Sequence, residues 1–324
     1  MKLLRLVPDN TRIPFMHWGR FTIPLALGLV LISIVGWASL GFNFGIDFTG
    51  GLLIEVRQTQ GAANLAQIRK DVESLKLGDA QVQGIGQDSD ALIRLGEQPG
   101  GEKAQQAAVE KVRAKLGSTY DFRRVEVVGP AVSKDLQFNA VLAVVTSLVL
   151  ILAYLWFRFE WQFAVGAIMT TIHDVLLTLG FMAYLRISFD LPILAAILTI
   201  VGYSLNDTVV IYDRIREMMR KYKKMPIADL IELSINETLS RTVVTAVTVF
   251  IASLALLLFG GDALYGFSFI LVFGVIVGTY SSIVVSAPLL IFLHLRADKE
   301  EKGGSGKGSK AKATGTSTAA SAKT

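Results

Sequence analysis

The sequence predicts an α-helical polytopic membrane protein: six transmembrane helices plus a small α/β extracytoplasmic domain, ferredoxin-like in its βαββαβ order. Three observations carry that expectation. Hydrophobic residues make up 52% of the 324-residue chain and charged residues only 18%, where soluble domains carry about a quarter. The charges cluster between long apolar runs instead of spreading evenly. Six of those runs approach the roughly 20 residues needed to cross a hydrocarbon core.

The runs are 21–40, 137–157, 163–184, 190–211, 243–260 and 266–293, the last long enough to require tilt or a break. The first follows Lys2, Arg5, Arg12 and Arg20, a layout shared with secretory signal peptides. Its length, and Gly41-Phe42-Asn43-Phe44 where a small-x-small cleavage site would lie, favour a retained helix.

Loop charge sets the expected orientation. Segment 1–20 holds four Lys/Arg, and a basic loop, 212–242, follows the fourth span. It carries Arg214, Arg216, Arg220, Lys221, Lys223, Lys224 and Arg241. Only Arg186 separates the third and fourth spans. The positive-inside rule then places both termini in the cytoplasm and segment 41–136 outside.

Segment 41–136 alternates strand and helix patterns. Leu52 to Val56 reads as a strand, and Leu65 to Leu77 as an amphipathic helix stopped at Gly78. Ala80 to Ile85 and Ala91 to Leu95 read as short strands joined through Gly86-Gln87-Asp88. Gln105 to Leu116 is a second helix ended by Gly117, and Phe122 to Val128 a closing strand. The tail 294–324, which from Gly303 onward is only Gly, Ser, Lys, Ala and Thr, is expected to remain disordered.

Composition also excludes several functions. The chain has no cysteine, so it has neither disulfides nor thiolate metal sites. The net charge of +5 sits beside the apolar runs or in the tail, which reads as topology signal and contact with anionic membrane lipids, not nucleic acid. No nucleotide motif or metal-ligand cluster occurs, so neither a cofactor nor covalent chemistry is expected. Asp47-Phe48-Thr49-Gly50-Gly51 lacks the Lys-Ser/Thr of a phosphate loop and reads as a sharp turn.

Inside the spans, the informative residues are those that cost most to insert. An ionisable group at mid-bilayer costs at least about 2.5–3.5 kcal/mol on insertion scales and normally has a partner or a role. The third span carries His173-Asp174, the fourth Asn206-Asp207, and Arg241 opens the fifth. A carboxylate at 207 and a guanidinium at 241 that approach and separate would take up and release a proton. A static ion pair that merely orients helices is the competing reading. His173 by itself reads as a hydrogen-bonded interior residue, and Asp174 as either a proton site or a partner for polar neighbours. Gly274 and Gly278 form a G-x-x-x-G suited to close helix packing. Thr242, Thr245 and Thr248 form a face able to bond across an interface, and Gly260-Gly261 and Gly266 read as turns.

Five ordered stretches resemble the SecD/SecF family, and within it the SecF half. They are Gly45-Ile46-Asp47-Phe48-Thr49-Gly50-Gly51, Val128-Gly129-Pro130-Ala131-Val132-Ser133, the run Val201 to Glu217 containing Asn206-Asp207-Thr208, Thr238-Leu239-Ser240-Arg241-Thr242, and Gly278-Thr279-Tyr280-Ser281-Ser282. The resemblance covers about residues 20–295. It implies the resistance-nodulation-division superfamily and a translocase accessory subunit driven by the proton gradient. The partners it implies are SecD, the SecYEG channel, YajC/YidC and the translocating polypeptide. It implies proton coupling at Asp207, which shares its motif with Asn206, and at Arg241; His173 and Asp174 also match the family's pattern. It further implies a bacterial inner membrane, with segment 41–136 in the periplasm. A non-energised scaffold and a small-molecule efflux component are the alternatives.

Overall fold

The computed structural model describes residues 8, 11–78, 80–85 and 87–295. Tail residues 296–324 and most of segment 1–10 therefore lie outside the described residues.

Two bodies stack end to end: a helical bundle and a small α/β domain. Six helical stretches are long and apolar enough to cross a membrane: 15–40, 130–158, 161–185, 191–221, 227–259 and 264–292. They are α1 (Phe15–Leu40), α5 (Pro130–Arg158), α6 (Trp161–Leu185), α7 (Leu191–Lys221), α8 (Ile227–Phe259), and a last span built from α9 (Asp262–Ser281), a π turn (Ser282–Ser286) and α10 (Ala287–Phe292). α6, α7 and α9 form the buried centre, whereas α1, α5 and α8 leave most of their apolar surface exposed.

The α/β domain lies between α1 and α5. Its elements are β2 (Gly51–Gln58), α3 (Leu65–Glu73), β3 (Ala80–Gly84), β4 (Asp90–Leu95), α4 (Gly101–Leu116) and β5 (Tyr120–Val128). The sheet order is β3-β4-β2-β5, with every neighbour antiparallel. Leu52, Ile54, Val56, Ala91, Ile93 and Leu95 alternate onto one face and pack on Ile68, Val72, Val109 and Val112 of the two helices. The other face carries Leu53, Glu55, Leu92, Arg94 and Arg124, and it faces the bundle. α3 stops at Glu73 and not at Leu77, because Lys76 and Gly78 adopt positive φ, 54° and 86°.

The junction between the bodies depends on glycine. β1 (Asn43–Phe44) and the short α2 (Ile46–Thr49) lead from α1 into Gly50 and Gly51, at φ 69° and 116°. A side chain at Gly51 would meet the Leu95 carbonyl, so only glycine fits there. β1 pairs in parallel with β6 (Ser188–Phe189), which directly precedes α7.

Several expected boundaries move. α1 begins at 15 and α5 at 130, with Pro130 in the first turn where its missing N–H costs nothing. The basic segment 212–242 is mostly helix, since α7 runs to Lys221 and α8 starts at Ile227. Its charges tie the projecting ends together: Arg158 grips both carboxylate oxygens of Asp213 at 2.6 and 2.7 Å, and Arg214 reaches Glu217 and Glu237. Gly266 lies inside α9 against Ile193, and only Gly260-Gly261 makes a turn. The expected break in the last span is real. Pro288 lacks an N–H for the Val284 carbonyl, and that carbonyl accepts a hydrogen bond from Thr22 of α1 at 3.2 Å.

Candidate functional site

A polar layer crosses the middle of the bundle where α6, α7, α8 and the last span meet. Glycine makes it possible. A Cβ at Gly274 would collide with Ile200, and one at Gly278 would come within 3.2 Å of the Ser204 Cβ, so α9 lies directly against α7.

Asp174 is the hub of the layer. It is completely buried, and its carboxylate joins three helices. Oδ1 meets His173 Nδ1 at 2.9 Å, while Oδ2 accepts from Ser204 Oγ of α7 at 2.5 Å and from Ser281 Oγ of α9 at 2.8 Å. An ionised carboxylate only accepts, so with Asp174 ionised the imidazole donates to it from Nδ1. Nε2 is buried without a hydrogen-bond partner. The Tyr280 ring lies 6.3 Å away, and its buried hydroxyl is also unpartnered.

A second set of bonds continues toward the far end. Thr208 Oγ1 meets Ser282 Oγ at 3.0 Å, Ser282 Oγ donates to the Ser204 carbonyl at 3.1 Å, and Tyr212 donates to the Ser286 carbonyl at 3.1 Å. These contacts fall on the π turn 282–286. Such widened turns recur where a helix must present atoms that a regular ladder would occupy.

Asp207 differs from Asp174. It lies one turn beyond Ser204 on α7 and is 2% exposed, yet its Oδ2 has no hydrogen-bond partner. Arg241 is close enough to contribute to the electrostatic field at Asp207. No ion pair within 4.0 Å joins them among the described residues. Arg241 does not open its helix as expected. It lies about four turns into α8, because α8 starts at Ile227, and it is exposed on the bundle's flank. Asn206 is likewise exposed, since its neighbour Asp207 takes the inward position.

The structure thus brings His173 and Asp174 together with Ser204 and Ser281, and buries Asp207 nearby on α7. It leaves Asn206 and Arg241 on the flank. Within this chain Thr245 and Thr248 of α8 donate to carbonyls of their own helix, and Thr242 Oγ1 is buried without a partner. Sequence reasoning missed Ser204 and Ser281 as ligands of Asp174. The available signal was a serine one turn before Asp207 and another at the end of the small-residue stretch of the last span.

The chain is similar to known proteins over most of its length. Residues 108–296 match the model described as protein export membrane protein SecD/SecF, C-terminal, and residues 35–61 match the SecD/SecF GG motif. The protein translocase subunit SecF of Rickettsia rickettsii is 43% identical over 302 residues, covering 92% of this chain and 97% of that one. The chain belongs to the SecD/SecF family. The SecDF subunit of Brucella abortus is 43% identical over 300 residues, and there the chain spans only 40% of its relative's length. Among solved structures, SecDF from Thermus thermophilus, titled a translocon-associated membrane protein, superposes with a TM-score of 0.81 at 35% identity, covering 90% of this chain and 40% of that one. A SecDF structure in a super-membrane-facing form superposes at 0.67, with 34% identity and 92% and 41% coverage. The family's GG motif is the junction of Gly50 and Gly51, and its C-terminal region contains the whole polar layer.

Proposed function

We propose that the chain is an accessory subunit of the Sec translocase that works with SecD and uses the proton gradient to promote polypeptide export. Relatives of similar length carry the name SecF, and the longer SecDF relatives join a comparable half to a second one in a single chain. The exposed flanks of α1, α5 and α8, with Arg241 on α8 and the exposed Asn206 on α7, suit a partner half beside the bundle. In this reading the partners are SecD, the SecYEG channel with YajC/YidC, and the moving polypeptide. Both termini face the cytoplasm, and the α/β domain faces the periplasm.

One observation carries the coupling step. Asp207 is a buried carboxylate with an unsatisfied oxygen, next to a cation that is near but not paired. Protonation removes the cost of that lone charge, and approach of the Arg241 guanidinium removes it in another way. Alternation between the two states moves a proton and shifts α7 against α8. Asp174 takes the other role, since its oxygens are filled: it holds α6, α7 and α9 together and orients His173, whose free Nε2 is a second place for a proton.

The test uses the chain reconstituted with SecD and the channel in vesicles, measuring proton flow and export together. Asp207→Asn and Arg241→Met should each abolish the gradient-dependent part of export and leave the ATP-driven part. Normal gradient-dependent export in both variants would leave a scaffold as the function.

A further inference from the structure

Three of the hydrogen-bonded contacts at the junction between the α/β domain and the start of α7 differ in kind. The Gly45 N–H donates to the Phe189 carbonyl at 2.7 Å within the β1–β6 pair. Asp47 Oδ2, in the α2 turn, accepts from the Leu191 N–H at 3.0 Å and so caps α7 beside its own N-cap, Asp190. Both are short, local bonds next to the GG turn. The third contact comes from the sheet itself. Arg94, on the bundle-facing side of β4, extends its guanidinium to Asn43 Oδ1 at 3.2 Å and to Ser188 Oγ.

The Arg94 contact is the costly one. The side chain is 9% exposed, its Nε has no partner, and no carboxylate lies within ion-pairing distance of it among the described residues. Burial pulls its guanidinium below its ordinary pKa, with Asp190 acting only from a distance. A charge buried against neutral acceptors is weakly held compared with one that returns to water. The space around it is not tightly packed. A cleft of about 470 Å³, lined by Leu53, Arg94 and Arg124 of the sheet and by Asp190, Ile193 and Phe267 of the bundle, separates the two bodies.

We propose that Arg94 is a positioning residue of the transport cycle: a releasable latch that holds the open sheet face against the β1–β6 pair at the head of α7, while that pair and Asp47 form a pivot that itself stays closed. Release of Arg94 lets the domain swing about the GG turn without losing its attachment to α7. This inference rests on the reading that the domain moves in response to proton coupling. The two solved SecDF chains superpose on this one with TM-scores of 0.81 and 0.67 at nearly equal identity.

The chain has no cysteine, which makes the test clean. In the full complex in vesicles, Arg94→Cys with Ser188→Cys is bridged by a short, reducible thiol cross-linker, and Phe44→Cys with Phe189→Cys, Cα partners in the β1–β6 pair, is oxidised directly. Bridging the latch should lower gradient-dependent export at least about tenfold, a locked-state effect that reductant reverses. Closing the pivot should leave export unchanged. Each unbridged pair serves as its own folding control. Full export with the latch bridged overturns the proposal, as does loss of export on closing the pivot. Asp207→Asn, measured in parallel, tests the coupling reading separately: an unaffected Asp207→Asn rejects proton coupling, whereas the latch is judged only by bridged against reduced protein.

Discussion

Asp174 and Asp207 are both buried carboxylates of the same polar layer, but only Asp174 has its oxygens filled. Ser204 and Ser281 both donate to its Oδ2, while Oδ2 of Asp207, one turn from Ser204, has no partner. The difference separates a group that holds helices from one that is free to change its bonding.

The two serines share one acceptor, so each can cover for the other. Ser204→Ala or Ser281→Ala alone should cost about 1 kcal/mol, and the pair together about 3 kcal/mol, because only the double variant strips Oδ2. Thermal unfolding in detergent measures the cycle. Strict additivity would show that the shared acceptor is not what couples them.

Gly274 is where α9 touches Ile200 of α7. Gly274→Val should force the helices apart and lower the yield of folded protein, with a cost of about 3 kcal/mol typical of overpacking. The companion variant Ile200→Ala should recover part of it by vacating the contact. Size-exclusion profiles and melting curves report the result, and lack of recovery would place the strain elsewhere.

Asp90 of β4 is 2% exposed and takes two hydrogen bonds from Arg57 of β2, both 2.6 Å. Those bonds hold its carboxyl below the usual aspartate range, with Ser89 adding to the effect and burial opposing it. A depressed folded pKa means the stabilisation is complete above the unfolded pKa, about 3.9, and is lost as pH falls through the lower folded value. Protection against hydrogen exchange at the β2–β4 pair, relative to the intrinsic rates at each pH, should therefore fall below about pH 4. Asp90→Asn should remove that acid-dependent component and cost about 2 kcal/mol at neutral pH. Protection that ignores acid in the parent chain would contradict the assignment.

Gly51 combines φ of 116° with the Leu95 carbonyl at its α-carbon. Gly51→Ala should destabilise the start of the inner strand β2 by about 2–3 kcal/mol, whereas Gly61→Ala, at φ 79° in open space, should cost about 1 kcal/mol. Limited proteolysis between 41 and 136 compares them, and equal sensitivity would mean crowding at Gly51 is unimportant.

Much of this architecture was legible in the sequence, because an apolar run of spanning length has few alternatives. The strands and helices of 41–136 were readable for the same reason: Leu52, Ile54 and Val56 alternate, while Ile68 and Val72 repeat at helical spacing. Helix ends were harder. Segment 212–242 looked like a loop because charge marks where a helix leaves the apolar phase, not where it ends; α7 and α8 simply continue into water. Asp174 and Asp207 stood out by their insertion cost alone. Their difference did not, since it depends on which helix packs beside each one. Nothing in the order of residues says that Ser204 and Ser281 converge on Asp174. Nor could spacing show that Arg241 lies on the flank, because the start of α8 was misplaced by about four turns.

α7 runs unbroken from Leu191 to Lys221, with Asp207 near its midpoint. That leaves about 24 Å of rod on one side of the carboxylate and about 21 Å on the other. If the rod tilts about that carboxylate, the two tips travel in opposite senses by similar amounts, about 4 Å for a 10° tilt. The central carboxylate would thus act as a fulcrum, and motion at the GG turn would be mirrored beside Tyr222.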